Sequence, residues 1–592
     1  MNKMAAAMNG HNFGWRLTKQ MFPPVAAFLF ATACVQSDLN TAPASPPIGD
    51  TQSLRLGVTS HFSHGWPPEY LTHADKLGVK EFRDALRWHQ IEQTPGVYVF
   101  DKWRTTYPDE IADRDAKLSI TLLGTNQLYD EGGTVHTDAG VQALADFTVA
   151  ALDRFPAIHA VEIGNEINGE NFVFGEVRRA DYPERATLYV DKLRGVYDRV
   201  KDHKSEVRVV GAGVHSVPVA FLELLFKRGA GQFMDALVIH PYTSAPETLA
   251  KELAYLRSKL PTPVPPIDVS EFGVREGEDA ANYLIKMVCV MATQGVENAH
   301  WYPLSKLGKS KSVPLIDDSG MITAAGRAFR FARTYLLSHR LQDVSPDNYT
   351  FAYQVGDRTL VIWGEERGIT VSTSTVAAFA ADGTRLEEAP KNLSMDRVLI
   401  LTSRDQLRLG QNVILGDTAI LADSFHDFTP FAEPGSAESG DTFDRFFARD
   451  DFEIKLRAMG GGERKATPWT PYLSTPHHRP MYIGAQRMAP GAFGSDLDNR
   501  RNFDIVHRFT ADRDMEVVVK TDWAPSGAST DGVRSVMVLN DVVISDEVII
   551  EAVLQVTPSL LLSVGDRIEI RLGVNKDPRG DTTDYRIQVV ER

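Results

Sequence analysis

Cysteine is nearly absent: Cys34 and Cys289 are the only two in 592 residues. A disulfide framework and a thiolate zinc cluster are therefore excluded, and stability must come from packing. Positive charge is also scarce. Against 63 Lys and Arg stand 78 Asp and Glu, a formal charge of −15, which leaves no basic footprint for a phosphate backbone, so nucleic acid is not an expected partner. No run approaches the roughly 20 apolar residues that span a bilayer, and no repeat of fixed period or low-complexity tract stands outside the linkers. What remains, 43% hydrophobic and 24% charged, is a globular composition that rules out disorder. The length exceeds one core, and about three domains are expected.

The first fifty residues differ from the rest. Lys3, Arg16 and Lys19 precede an apolar stretch, 21–33, that ends in Ala31-Thr32-Ala33 before Cys34. It is too short to cross a membrane, and Pro23-Pro24 would break a helix there, so it resembles an export signal. A cysteine directly after small residues, with the polar linker 36–50 behind it, resembles a bacterial lipoprotein signal, in which Cys34 is lipidated and anchors the chain. Ala31 departs from the larger aliphatic residue usual there, and an ordinary cleaved signal with an incidental Cys34 stays open. Either reading makes residues 1–50 an address and linker. The mature protein is then expected to be exported: periplasmic, an outer-membrane lipoprotein, or extracellular.

Across 51–338, short β-rich apolar runs alternate with amphipathic stretches of helical period, the pattern of repeated βα units. Strands are expected at 54–60, 79–86, 118–125, 158–165, 207–214, 236–243, 267–272 and 298–304, with helices between them at 139–154, 182–203, 217–227, 246–259 and 278–294. Eight units in about 250 residues fit a (β/α)8 barrel, closed by a helix over 324–338. The period then changes to two. Runs flanking Gly356-Asp357 read as a hairpin, and 339–430 should be a small β domain packed on the barrel. A Pro/Gly/Ser/Glu-rich linker, 431–441, precedes 442–592, where strands at 515–523, 534–539 and 567–572 suggest a β-sandwich that either binds glycan or braces the enzyme.

Catalytic side chains of such barrels stand at the C-terminal ends of strands, the rim built from the βα loops. The fourth strand ends Gly164-Asn165-Glu166 and the seventh ends Ser270-Glu271. A half-buried carboxylate is costly without partners or a task, and two in one site suggest glycoside chemistry. One, with a raised pKa, protonates the leaving oxygen while the other attacks the anomeric carbon across a gap of about 5–5.5 Å.

An Asn-Glu pair ending strand 4 with a Glu ending strand 7 resembles clan A of the glycoside hydrolases, over residues 54–338. The resemblance implies that Glu166 is the general acid/base, Glu271 the nucleophile and Asn165 a partner of the sugar 2-hydroxyl, with retention of configuration and no cofactor or metal. It further implies a substrate-site role for Arg83 on strand 2 beside the nucleophile, for His240 and Tyr242 ending strand 6, and for Trp301 on strand 8 as an aromatic floor. The loop around Trp88 resembles family 39 and its relatives, and the strand 6 to 8 segment with the appended β domains is nearest to their bacterial exopolysaccharide-acting enzymes; strand 4, 162–166, has Gly164 where many members carry Trp and is also similar to the galactanase and heparanase branches.

The expected substrate is thus a cell-surface or exopolysaccharide, or an oligosaccharide. A non-catalytic glycan-binding lipoprotein and a transglycosylase using the same two glutamates are the alternatives. Residue by residue, Arg83 also reads as a structural ion pair, His240 as a structural histidine, and Trp301 and Trp88 as core packing. Cys289 reads as a buried small hydrophobe. His61, His64 and Trp66 after strand 1 read as subsite lining in preference to a zinc site. Trp469, Tyr472 and Trp523 are too scattered to assign as stackers.

Overall fold

The computed structural model describes residues 54–592 except 307, 373–374, 431–439, 450–451, 465–466, 477–480 and 494–500. The export segment with Cys34 and most of the 431–441 linker therefore lie outside the described residues. Eight parallel strands close into a barrel: β1 Arg55–Thr59, β2 Glu81–Ala85, β3 Lys117–Leu122, β4 Ile158–Ile163, β5 Arg208–His215, β6 Ala236–His240, β7 Ile267–Phe272 and β8 Val296–Trp301. β8 returns to β1, with Leu56 beside Ala299 and Val58 beside Trp301. These strands are buried on both faces, which is why they read as unbroken apolar runs.

A helix follows each strand: α1 Leu71–Leu77, α2 Trp103–Ala112, α3 Asp138–Arg154, α4 Tyr182–His203, α5 Val219–Lys227, α6 Pro246–Lys259, α7 Ala280–Thr293 and α8 Ala324–Thr334. α4 shows why they form. The Asp181 side chain accepts from the Glu184 amide at its start, Pro183 sits in the first turn, and Ala186, Tyr189, Leu193, Val196 and Val200 turn one stripe to the core; each large aliphatic buried there contributes about 1.5–3 kcal/mol. Cys289 is fully buried on α7, where burial pushes its thiol well above the usual range.

The lumen is polar at both mouths. At the N-terminal mouth Arg208 reaches Asp268 at 2.9 Å, Asn298 donates to Asp268 at 2.9 Å, and Arg55 donates to Asn298 at 2.8 Å. That closed network serves stability, whereas the polar cluster at the opposite mouth faces the variable loops.

Beyond α8, an antiparallel sheet runs in the order β9 (Leu341–Asp343), β10 (Thr350–Val355), β11 (Thr359–Gly364), β13 (Leu399–Thr402), β12 (Ala377–Phe379). Its period of two divides its faces: Tyr353, Val355, Val361 and Trp363 join the barrel core, while Ala352, Leu360 and Ile362 form a separate small core. Trp363 donates its indole N–H to Glu247 of α6 at 3.0 Å, and Lys286 of α7 pairs with the same carboxylate at 2.8 Å.

Two further antiparallel sheets face each other around a core that includes Trp523, Ile570 and Ile587. Trp523 is fully buried and Tyr472 nearly so, which makes both structural and removes them as exposed stackers. The sandwich is tied to the barrel at the start of α5, where the Val219 and Ala220 amides donate to the carbonyls of Gly460 and Gly461 at 2.9 and 3.2 Å. Those are helix N-terminal donors with no partner inside the helix. Glycine is required for so close an approach: a Cβ on Gly460 would stand 2.6 Å from the Ala220 nitrogen, and Gly461 has φ +77°.

Candidate active site

Six strands, β2 to β7, deliver the cluster at the C-terminal mouth. Arg83 of β2 is 4% exposed, and its guanidinium is fully engaged. Nε and Nη2 donate to Glu162 at 2.7 and 3.1 Å, Nη1 to Glu271 at 2.5 Å and Nη2 to Asn165 at 2.7 Å. Burial works against this charge, but the two carboxylates outweigh it and raise the pKa above an ordinary arginine. Glu162, fully buried on β4, also accepts from Thr121 and Ser270, each at 3.1 Å. Desolvation would raise it; the Arg83 charge holds it below the usual carboxylate range.

Glu271 on β7 has both oxygens held, one by Arg83 and the other by the Tyr242 hydroxyl at 2.9 Å. Glu166, just beyond β4, meets His215 Nδ1 at 3.3 Å and His240 Nδ1 at 3.4 Å. Its side chain is 11% exposed. Burial favours its protonated form, but hydrogen bonds from the two imidazoles prevail and set it below the usual range, opposite to the direction expected of a resting proton donor. Desolvation lowers the His240 pKa, yet Glu271, Glu162 and Glu166 together lift it to about 9. A protonated imidazole donates at both nitrogens, which fits Nε2 at 2.8 Å from Ser270 Oγ while Ser270 passes its own hydrogen to Glu162.

Glu166, His240 and Glu271 each offer an atom within 4.8 Å of the others. Glutamates 105 positions apart in sequence therefore face one another across one gap, where they can act on a single bond. The trio is also a donor set for a divalent ion, but the Arg83 guanidinium at 2.5 Å from Glu271 already supplies the positive charge there. In a second such trio, Glu365, Asp423 and His426, Arg586 fills the same role at 2.5 Å from both carboxylates.

The local backbone is built for this placement. Glu166 has φ +44° and Gly164 φ +87°, left-handed values that turn the chain sharply out of β4. The turn is pinned from several sides. Asn168 donates to the His215 carbonyl at 3.0 Å and accepts from its amide at 2.9 Å. Arg185 of α4, fully buried, donates to the carbonyls of Gly169 and Arg178 at 2.8 Å each. Tyr189 bridges the Ile163 carbonyl and the Ala212 amide at 2.8 and 2.6 Å.

Of the residues singled out in the sequence, Arg83, Asn165, Glu166, His240, Tyr242 and Glu271 come together here. Asn165 spends its carbonyl oxygen on Arg83, so its NH2 is the end it can offer a ligand. His240 is fully buried and acts on its neighbours. Two aromatics do not join them. Trp301 is fully buried, its indole N–H donating to the Val313 carbonyl at 3.0 Å and its ring packed edge-on against Phe272. It is no floor for a sugar, because the alternation of β8 turns His300 to the lumen, against Gly57, and Trp301 away from it. Tyr302, the next residue, is the aromatic that faces the cluster: burial and the Glu271 charge raise its hydroxyl pKa. Trp88 is likewise a brace, 3% exposed, bonded through its indole N–H to Glu92 and stacked on Tyr129 at 5.2 Å.

His61 and His64 stand beside the mouth, with His61 edge-on to Trp66 and Tyr302. Burial pushes them down to about 3 and 4, respectively, so both are neutral near pH 7. Glu162, His215, Ser270, Arg185 and Tyr302 were not picked out from the sequence. Glu162 carried the same signal as Glu166, an acid inside an apolar run; the others are ordinary residues until the barrel closes.

No protein-family model matches this chain, and no curated protein does. Solved structures do align with it. A family 39 glycoside hydrolase from the gut symbiont Bacteroides cellulosilyticus WH2 is 17% identical over 61% of this chain and 83% of its own, with a TM-score of 0.49. A family 39 β-xylosidase from Caulobacter crescentus is 17% identical over 60% and 98%, with a TM-score of 0.44. A family 39 enzyme from Xanthomonas axonopodis pv. citri is 12% identical over 89% and 96%, with a TM-score of 0.41. Likeness at this level assigns no activity.

Proposed function

We propose that the protein is a retaining glycoside hydrolase that cleaves β-glycosidic bonds of a cell-surface or exopolysaccharide by double displacement. The observation that carries this reading is the convergence of Glu166 and Glu271, one oxygen of each lying within 4.8 Å of the other. Retaining pairs stand about 5–5.5 Å apart, while inverting pairs need roughly 6.5–9.5 Å to admit a water.

In the first step Glu271 attacks the anomeric carbon as the glycosidic C–O bond breaks, and Glu166 gives the leaving oxygen its proton. That proton comes from His240, through the contact at 3.4 Å. The product is a glycosyl ester on Glu271 and a free sugar hydroxyl. Glu166, now a carboxylate again, takes a proton from water and returns it to His240, while the water oxygen attacks the same carbon, breaks the ester to Glu271 and leaves the second product as a free sugar. Arg83 and Tyr242 hold the nucleophile in line, so little reorganisation is left for the transition state.

The test is mutagenesis with trapping. Glu271→Gln should abolish hydrolysis of the polysaccharide accepted by the parent, and Glu166→Gln should lower kcat by about 10²–10⁴-fold. A 2-fluoro glycosyl fluoride of the accepted sugar should label Glu271, seen by peptide mass spectrometry. Variants as fast as the parent would end the reading, and glycan binding without labelling would favour a binding protein.

We propose further that the protein is exported, on the strength of the basic, apolar and small-residue order of 1–34. The mass of the mature N-terminus tests this: a diacylglyceryl Cys34 supports the lipoprotein form, a free cleaved terminus the soluble one, and an intact Met1 refutes export.

A further inference from the structure

Beside the carboxylates lies a cavity of about 370 Å³ whose near wall is barrel and whose far wall is sandwich. Tyr242, Ser244 and Val274 line one side; Trp469, Tyr482 and Arg487 line the other. Its volume is that of a small-molecule site, roughly 300–1,000 Å³. Two of its lining residues touch the reacting centre. Tyr242 lines it and also holds Glu271. Trp469 packs edge-on against His215, with ring centroids 6.1 Å apart, and His215 in turn touches Glu166.

The wall chemistry suits a pyranose, which offers an apolar C–H face and hydroxyls around its edge. Trp469 is only half-buried and supplies a flat apolar surface. Arg487 and Asp584, paired through bonds of 2.5 and 3.0 Å and both partly exposed, supply a donor and an acceptor side by side. The arm that carries Trp469 is held in place by the glycine contacts on α5.

We propose that this cavity is the leaving-group subsite: it receives the sugar ring whose glycosidic oxygen Glu166 protonates, stacked on Trp469 and read at its hydroxyls by Arg487 and Asp584. The inference rests on the proposed roles of Glu166 and Glu271. It makes the sandwich part of the catalytic unit and the substrate at least a disaccharide.

The test uses the full chain with two- to six-unit β-linked gluco-, xylo-, manno- and galacto-oligosaccharides, and 2,4-dinitrophenyl β-glycosides of the same sugars. Trp469→Leu, which keeps the site apolar but removes the flat ring, should lower the ratio of oligosaccharide to dinitrophenyl-glycoside kcat/KM by about tenfold or more. Trp469→Phe should restore most of it. Oligosaccharide binding to the Glu271→Gln protein, measured by calorimetry, should weaken on adding Trp469→Leu. An unchanged ratio, or no oligosaccharide bound by Glu271→Gln, would overturn the subsite. If binding is lost with Trp469 but Glu166→Gln and Glu271→Gln remain active, the cavity stands as a sugar-binding site, and the catalytic assignment falls together with the leaving-group role.

Discussion

At Glu166 a catalytic candidate and a strained backbone coincide. A non-glycine residue at φ +44° costs of order 1–3 kcal/mol and persists only where its surroundings hold it. Asn168 is the most direct clamp, since it meets both backbone groups of His215. Asn168→Ala should destabilise the protein by about 1–2 kcal/mol in urea denaturation and lower kcat more than it raises KM. His240 sets a pH signature. Its folded pKa, about 9, lies above the unfolded value of 6.5, so its contribution to stability is fully present below pH 6.5 and is lost as pH rises toward 9. The melting temperature of the parent minus that of His240→Asn should shrink across that window. A difference independent of pH would show that His240 is not the charged partner of these carboxylates.

At the scale of elements, β8 shows how a single step along a strand exchanges roles. Its alternation places His300 in the lumen and Trp301 against Val313, leaving the site to Tyr302 just past the strand. Trp301→Ala should therefore act as a core truncation, destabilising by about 3–5 kcal/mol, and Tyr302→Phe should change kcat/KM with little change in melting temperature. The reverse pattern would restore Trp301 as the sugar platform. β4 makes the same point for Glu162 and Glu166. They are four residues apart, yet the first is sealed against Arg83 in the lumen and the second is turned out to the rim by the left-handed pair at Gly164 and Glu166.

For the whole molecule, the joints between domains are polar and buried. Arg586 of the sandwich reaches Asp423 and Glu365 at 2.5 Å each, and those carboxylates hold its pKa above an ordinary arginine against the pull of burial. Removing one partner leaves charge buried without compensation, so Arg586→Ala should cost about 3–5 kcal/mol. Chemical unfolding followed by fluorescence would measure the loss. This joint fixes the sandwich against the small β domain, while the Gly460 and Gly461 contacts with α5 fix it against the barrel and so set the position of Trp469 over His215.

The sequence by itself determined what is local and periodic. Apolar runs and helical stripes marked all eight barrel strands and six of the eight helices, missing the short α1 and the Pro108-containing α2, and the period of two with Gly356-Asp357 marked the hairpin now seen between Thr350–Val355 and Thr359–Gly364. Acids at strand ends marked Glu166 and Glu271, because an isolated carboxylate at the end of an apolar run needs a reason whatever the fold. Tertiary structure alone decided what depends on closure: which way Trp301 faces, that His215 and His240 share Glu166, and that Trp469 from a separate domain meets the rim. Direction across a strand end turns on local backbone twist, and contact between distant segments turns on packing, so neither leaves a periodic trace along the chain.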